Sequence, residues 1–313
     1  MTSEQTQVPL RVAVVGSGPA GFYAAETLLR SPETAAEVDL FDRLPTPYGL
    51  VRGGVAPDHQ KIKSVTRIYE RTAARPSFRF LGNVQLGRDL LVDDLRAHYH
   101  QIVYATGNEA DRRLGIPGEG VTGSTPSAVF VGWYNGHPDF REARIRLDTE
   151  RAVVVGNGNV AVDVTRILLR TPDELAATDL AGHALAALRE SRVREVWMLG
   201  RRGPAQAAFT PQELKELGEL TDVDIVVDPA ALELDSASAA AVAESASRAR
   251  NLELLREFAA RPRRGAGRVL HLRFGVSPVE ILVDDEERVR GLVVARNRLE
   301  ARSDGSVAAR PTG

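Results

Sequence analysis

Cysteine is absent from all 313 residues. This excludes disulfides, thiolate-held metals, iron-sulfur ligation by this chain and the dithiol of disulfide reductases. Any electrons handled here must travel on a bound organic cofactor. Lysine is nearly absent too, confined to Lys61, Lys63 and Lys215. With the abundant alanine, this skew toward arginine reads as coding bias and carries no functional weight. The formal net charge is only -2, so no global basic field announces a nucleic-acid partner. No apolar run approaches the roughly 20 residues of a membrane-spanning helix, so membrane insertion is not expected. Met1 to Pro9 is polar and lacks the charged start and cleavage site of a secretory signal, and the expected compartment is the cytoplasm.

What is present suits an ordinary globular protein, with 43% hydrophobic and 26% charged residues and enough length for two domains. Arg11 to Val15 is a short β-branched run followed by a glycine cluster and the helical pattern Phe22 to Arg30. Val38 to Phe41 reads as a second parallel strand, Ile62 to Ala73 as a helix and Gln101 to Ala105 as another buried strand. The unit recurs as strand Ala152 to Val155, a glycine turn, helix Val160 to Arg170 and strand Glu195 to Leu199. Two such beginnings predict an α/β protein with two Rossmann-like dinucleotide-binding domains. Gly107, Gly115, Pro117 and Gly118 punctuate a boundary, giving domains over 8–108 and 109–313. Asp235 to Ala249, rich in alanine and serine, reads either as a surface helix or as a mobile excursion, and Val289 to Ala295 as a strand.

The motif Gly16-Ser-Gly18-Pro-Ala-Gly21 has glycine where a tight turn, a close pyrophosphate and close helix packing each demand it. The following helix N-terminus offers unpaired N–H groups to phosphate. Asp42 ends the second strand, where a carboxylate binds the ribose hydroxyls. A purely structural glycine turn is the competing explanation. The second motif, Gly156-Asn-Gly158-Asn-Val-Ala161, ends its second strand on Arg201-Arg202 instead, which suits a 2'-phosphate. The alternative there is a solvated loop that happens to carry two arginines. An acidic anchor in one site and a basic one in the other divides labour between a retained dinucleotide, FAD, and an exchangeable NADP.

Around these loops stand Pro45-Thr-Pro-Tyr-Gly-Leu-Val-Arg-Gly-Gly-Val-Ala-Pro-Asp-His59, Phe130-Val-Gly-Trp-Tyr-Asn-Gly-His137, Gly156-Asn-Gly-Asn-Val-Ala-Val-Asp163, and Gly200-Arg-Arg-Gly-Pro204 followed by Ala208-Phe-Thr210. In these motifs the chain resembles the adrenodoxin reductase family, whose bacterial members are ferredoxin-NADP reductases. The resemblance implies FAD contacts at Ala20, Asp42, Leu50 and Leu86, beside Gly16, Gly18 and Gly21 of the first loop. It implies NADP contacts at Asn157, Gly158, Asn159, Val160, Arg201, Arg202 and Glu213. It further implies that His59 lies beside flavin and nicotinamide in a network with a glutamate, for which Glu216 is the candidate and Glu213 the rival. A loop histidine that only rigidifies the flavin pocket is the competing role for His59. Trp133 is expected to fill core rather than touch a cofactor.

The activity so implied is hydride transfer from NADPH to FAD, then single-electron delivery to a ferredoxin-type iron-sulfur protein. Lys63, Arg67 and Arg71 recur every four residues, so they would share one helix face; that stripe could dock an acidic ferredoxin or be a solvated face. The family continues with a tryptophan-containing, glycine-rich segment that returns to the first domain. No stretch here matches it, so that domain is expected to lack its last strands and to expose a sheet edge. Two other functions stay open: an electron-supplying subunit resembling the small subunit of glutamate synthase, and a shortened NADP-binding protein without turnover. The missing cysteine clusters and the proline-rich motif argue against the first.

Overall fold

The computed structural model describes residues 8–108, 111–302 and 307–312. They divide into two compact units, Met1–Ala110 and Asp111–Gly313.

In the first unit four parallel strands, β1 (Leu10–Val15), β2 (Ala36–Phe41), β3 (Phe78–Leu81) and β4 (Gln101–Tyr104), lie in the order β3-β2-β1-β4. β1 sits between two neighbours and is buried on both faces, which is why its run is continuously apolar rather than alternating. Val12 and Val14 face one cluster with Phe22, Ala25, Val38, Leu40, Tyr69 and Phe78, while Ala13 and Val15 face a smaller one with Phe41 and Leu95. Helices Pro19–Arg30 and Thr66–Ala73 cover the first cluster, and helix Val92–His98 supplies Leu95 to the second.

Two expectations change here. β4 is an edge strand, not a buried one: Ile102 and Val103 are half-buried, and Tyr104 is 57% exposed. The helix expected over Ile62 to Ala73 is two, Gln60–Lys63 and Thr66–Ala73. At the break the Ser64 hydroxyl donates to the Lys61 carbonyl at 2.6 Å, and Val65 N–H turns back to Ile62 rather than continuing the α ladder.

In the second unit the parallel strands β5 (Arg151–Val155), β6 (Glu195–Gly200), β7 (Val223–Val227) and β8 (Arg268–Phe274) lie in the order β5-β6-β8-β7. Its core gathers Val162, Ile167 and Leu169 of helix Asn159–Leu169 against Val196, Met198, Leu270 and Leu272 of the sheet. Trp133, 4% exposed on helix Ser127–Tyr134, belongs to this core and stacks on Phe130, so it is filling, as its type suggested. The segment after Asp235 is helical: Ser236–Ala243 is capped by the Asp235 carboxylate and Ala246–Ala260 by the Ser245 hydroxyl.

A separate antiparallel sheet follows, β9 (Val276–Val283), β10 (Val289–Ala301) and β11 (Val307–Pro311), ordered β11-β10-β9. β10 runs beyond the apolar stretch to Ala301. Its distal half is polar, but it pairs with β11 from Asn297↔Pro311 to Ala301↔Val307. Tertiary pairing thus extends a strand whose end hydrophobic pattern does not reveal.

Candidate functional site

Each glycine motif forms the turn between a first strand and its helix. Gly16 has φ +109°, and a Cβ there would lie 2.3 Å from the Ala105 carbonyl oxygen. A Cβ on Gly21 would lie 1.9 Å from the Gly16 carbonyl, so the helix can sit this close to the turn only without a side chain. Pro19 opens the helix and the N-cap, Gly18, makes no side-chain cap, which leaves first-turn N–H groups without a side-chain acceptor, as an anion site requires. Ala20 is exposed on that first turn.

The proline-rich motif lies on this loop. Tyr48 N–H donates to the Ser17 carbonyl at 3.0 Å, and a Cβ on Gly49 would come within 2.7 Å of the Gly18 Cα. Tyr48 itself holds φ +91°, a conformation a non-glycine residue keeps only where its surroundings impose it. It packs against Phe22 and Tyr69, with the Arg52 guanidinium 5.4 Å over its ring. Burial, reinforced by Glu70, pushes the Tyr48 hydroxyl above its ordinary range. Leu50 follows at the start of a short helix, 67% exposed.

Asp42 does more than end β2. Its Oδ2 accepts from both the backbone N–H and the hydroxyl of Ser17, and its Oδ1 accepts from Leu44 N–H at 2.9 Å. The carboxylate braces the glycine loop and keeps lone pairs for a ribose hydroxyl. Ser17 is fully buried, a role its residue type does not declare in the sequence. Its only signal is its place as a variable residue inside the motif. Leu86 is half-buried in a turn bridged to Leu90. His59 precedes helix Gln60–Lys63, its N–H donating to Ala56 and its carbonyl accepting from Ile62 and Lys63.

The second loop repeats the plan. Gly156 has φ +136° and helix Asn159–Leu169 again begins after a glycine N-cap, Gly158, without a side-chain cap. Val160 is 50% exposed on its first turn. Ala161 is accommodated where the first loop requires glycine, buried but in ordinary contact distance of the Gly156 position. The Asn157 carbonyl accepts from Ala208 and Phe209, and Asn159 Oδ1 accepts from Thr210 N–H at 2.9 Å. The two distant motifs are therefore one structure, and Thr210 in turn caps helix Pro211–Leu217. Gly200 closes β6 and hands the chain to Arg201, exposed, and Arg202, half-buried. Among the described residues neither guanidinium is in an ion pair, and Arg202 reaches only the Gln206 carbonyl, at 3.5 Å.

Glu213 and Glu216 lie on helix Pro211–Leu217, and both are held by Arg166. Arg166 is completely buried; its Nη1 meets Glu213 at 2.9 Å and Glu216 at 3.2 Å, while Nη2 meets Asp163 at 2.9 Å. Glu216 also accepts from Gln212. Arg166 had no sequence signal, since an arginine three residues after an aspartate on an amphipathic helix reads as an exposed pair.

The pyridine nucleotide-disulphide oxidoreductase family model matches residues 10–196. NADPH-ferredoxin reductase FprA of Mycobacterium tuberculosis is 48% identical over 310 residues, covering 97% of this chain and 67% of its own length. The mitochondrial NADPH:adrenodoxin oxidoreductase of Arabidopsis thaliana is 44% identical, covering 99% of this chain and 66% of its own length. The chain thus spans about two thirds of these relatives. The structure of Mycobacterium tuberculosis FprA in complex with NADPH superposes with a TM-score of 0.94 at 47% identity, covering 98% of this chain and 68% of that one. Two Rossmann-type parallel sheets, the matching family model and relatives this similar agree: the chain belongs to the pyridine nucleotide-disulphide oxidoreductase family, in its group of NADPH-dependent ferredoxin and adrenodoxin reductases.

Proposed function

We propose that this chain is an NADPH-dependent ferredoxin reductase in which the unit Met1–Ala110 holds FAD and the unit Asp111–Gly313 holds NADP. The observation that carries the assignment is the contrast between two otherwise parallel loops. One second strand ends on a braced carboxylate, Asp42, and the other on two guanidinium groups that have no ion-pair partner among the described residues, Arg201 and Arg202. A carboxylate accepts from ribose hydroxyls and repels a 2'-phosphate, whereas a guanidinium pair attracts the 2'-phosphate. Both loops suit a dinucleotide pyrophosphate, with a helix N-terminus that has no side-chain cap behind each glycine turn. Bound flavin supplies the chemistry, accepting a hydride from reduced nicotinamide and releasing electrons singly.

The chain's own residues bind and orient. Gly16, Gly18, Ala20 and Gly21 cradle the FAD pyrophosphate, Asp42 takes its ribose, and Leu50 and Leu86 contribute contact surface. Asn157, Gly158, Asn159 and Val160 take the NADP pyrophosphate, and Arg201 and Arg202 its 2'-phosphate. His59 is assigned to the flavin side of the reaction and Glu216 to the nicotinamide side, with Glu213 behind it on the same helix. The acceptor is a ferredoxin-type iron-sulfur protein. Exposed Arg67 and Arg71 share one face of helix Thr66–Ala73 and suit an acidic partner surface. A cytoplasmic location is proposed as well; no helix among the described residues is long and apolar enough to cross a membrane.

Replacing Arg201 and Arg202 together with alanine is expected to raise KM for NADPH by about 10–100-fold, the worth of one or two charge-assisted hydrogen bonds, and to leave KM for NADH within about twofold. Equal changes for both coenzymes would remove the 2'-phosphate assignment.

A further inference from the structure

We propose that Asn297 is a positioning residue for coenzyme selectivity: its side-chain amide holds the backbone of the Arg201–Arg202 loop in the conformation that presents both guanidiniums to one phosphate. The inference rests on the reading of that arginine pair as the 2'-phosphate anchor and extends it to a residue 96 positions away in sequence.

Asn297 lies in β10, outside the parallel sheet that carries the arginines. Its Nδ2 donates both hydrogens, one to the Arg201 carbonyl at 2.8 Å and one to the Ser277 hydroxyl at 2.8 Å. Its backbone N–H donates to the Gly275 carbonyl at 2.7 Å, and Gly275 N–H donates to the Arg202 carbonyl at 3.0 Å. Both arginine carbonyls are therefore tied, directly or through one glycine, to this single residue. Two positions on, Leu299 packs under the same turn, its Cδ1 3.1 Å from where a Cβ on Gly203 would be. The far end of the turn is pinned separately, Gln206 Nε2 donating to the buried Ser238 hydroxyl at 3.0 Å.

The arrangement bears on selectivity through conformational entropy. Two adjacent arginines on a free turn would have to fix several backbone and side-chain torsions before meeting one phosphate. Tying both carbonyls to a sheet fixes the backbone share of that cost in advance. The side chain is not required by the β ladder, because pairing of β10 with β9 and β11 uses main-chain groups. Asn297 Oδ1 is buried without a hydrogen-bond partner among the described residues, so the amide is kept for its two donors.

The test uses Asn297→Leu, which keeps nearly the same size, removes the donor to the Arg201 carbonyl and adds no charge beside the phosphate site. Binding of 2',5'-ADP and of 5'-AMP to the full chain is measured by calorimetry, beside Asn297→Ser in case the first variant fails to fold and Arg201→Ala/Arg202→Ala as the reference. The expected result is binding of 2',5'-ADP weakened about tenfold in the Asn297 variants, with 5'-AMP within about twofold of the parent. Equal weakening of both ligands would mean a general structural role and overturn the proposal, as would unchanged 2',5'-ADP binding in a folded variant. If the double arginine variant itself binds 2',5'-ADP normally, the anchor reading fails first and the proposal with it; if only the Asn297 variants do, the anchor stands and the positioning role alone is lost.

Discussion

Arg166 meets Glu213 at 2.9 Å with no part of the arginine exposed, joining the nucleotide-loop helix Asn159–Leu169 to the helix that carries both candidate carboxylates. A buried ion pair adds little net stability over an apolar pair of the same shape, but removing one partner leaves uncompensated charge. Arg166→Met should therefore cost about 3–5 kcal/mol, read as a lower urea midpoint at unchanged slope. Adding Glu213→Gln should recover part of it, since one stranded carboxylate is then neutral. A single variant as stable as the parent would show that the network relaxes into water.

The two glycine loops differ in tolerance. Gly21→Ala places a methyl group 1.9 Å from a carbonyl oxygen, so the helix must shift. The expected cost is about 1–3 kcal/mol, with loss of flavin absorbance from protein supplied with FAD. Ala161→Gly in the second loop should cost only about 0.5–1 kcal/mol through backbone entropy and leave flavin retention alone. Similar losses from the two substitutions would argue against glycine being required for packing at Gly21.

His271 stacks on Trp197 at 3.9 Å, and its Nε2 meets Glu195 at 2.8 Å. Burial, only partly opposed by the Glu195 charge, holds its pKa below the ordinary 6.5. Its folded value is thus depressed, so the unfolded chain binds the proton more readily. The associated stability is present above pH 6.5 and is lost as pH falls through that value toward the lower folded one. Thermal midpoints between about pH 5 and 7 should fall with acidification in the parent and fall less in His271→Phe, which keeps the stacking but cannot titrate. Identical slopes in the two proteins would clear His271 of this role.

Arg67 and Arg71 offer a check on partner docking. Charge reversal of both to glutamate should raise KM for an acidic ferredoxin severalfold at low salt, with the difference shrinking as ionic strength rises. NADPH-dependent reduction of a small non-protein acceptor should not change. If KM for ferredoxin holds at every salt concentration, the partner docks elsewhere.

Much of the architecture was legible locally. A β-branched run, a glycine turn and an apolar helical period declare a strand-turn-helix whatever surrounds them, and both such units fold as expected. Legibility failed where neighbours decide. Gln101–Tyr104 carries the same apolar residues as a buried strand, but its place at the sheet edge sets its exposure. The helix after His59 breaks because Ser64 captures a carbonyl, and serine in a helical pattern has no single conformational meaning. Arg166 and Asn297 were invisible because their partners lie on other elements, and neither residue type announces which carbonyl or carboxylate it will reach.

Sequence alone determined the two glycine turns, the carboxylate and the arginine pair that distinguish them, and the absence of any thiol chemistry. These follow from residue type at short spacing, where sterics and charge act within one or two turns of chain. Tertiary structure decided which polar groups brace those loops. Ser17 reaches Asp42 across 25 residues, Asn157 binds the Ala208–Phe209 amides, and Asn297 reaches Arg201 from another sheet. The physical reason is that a hydrogen bond depends on distance and direction in space, and only the folded chain brings residues so far apart in sequence within 3 Å.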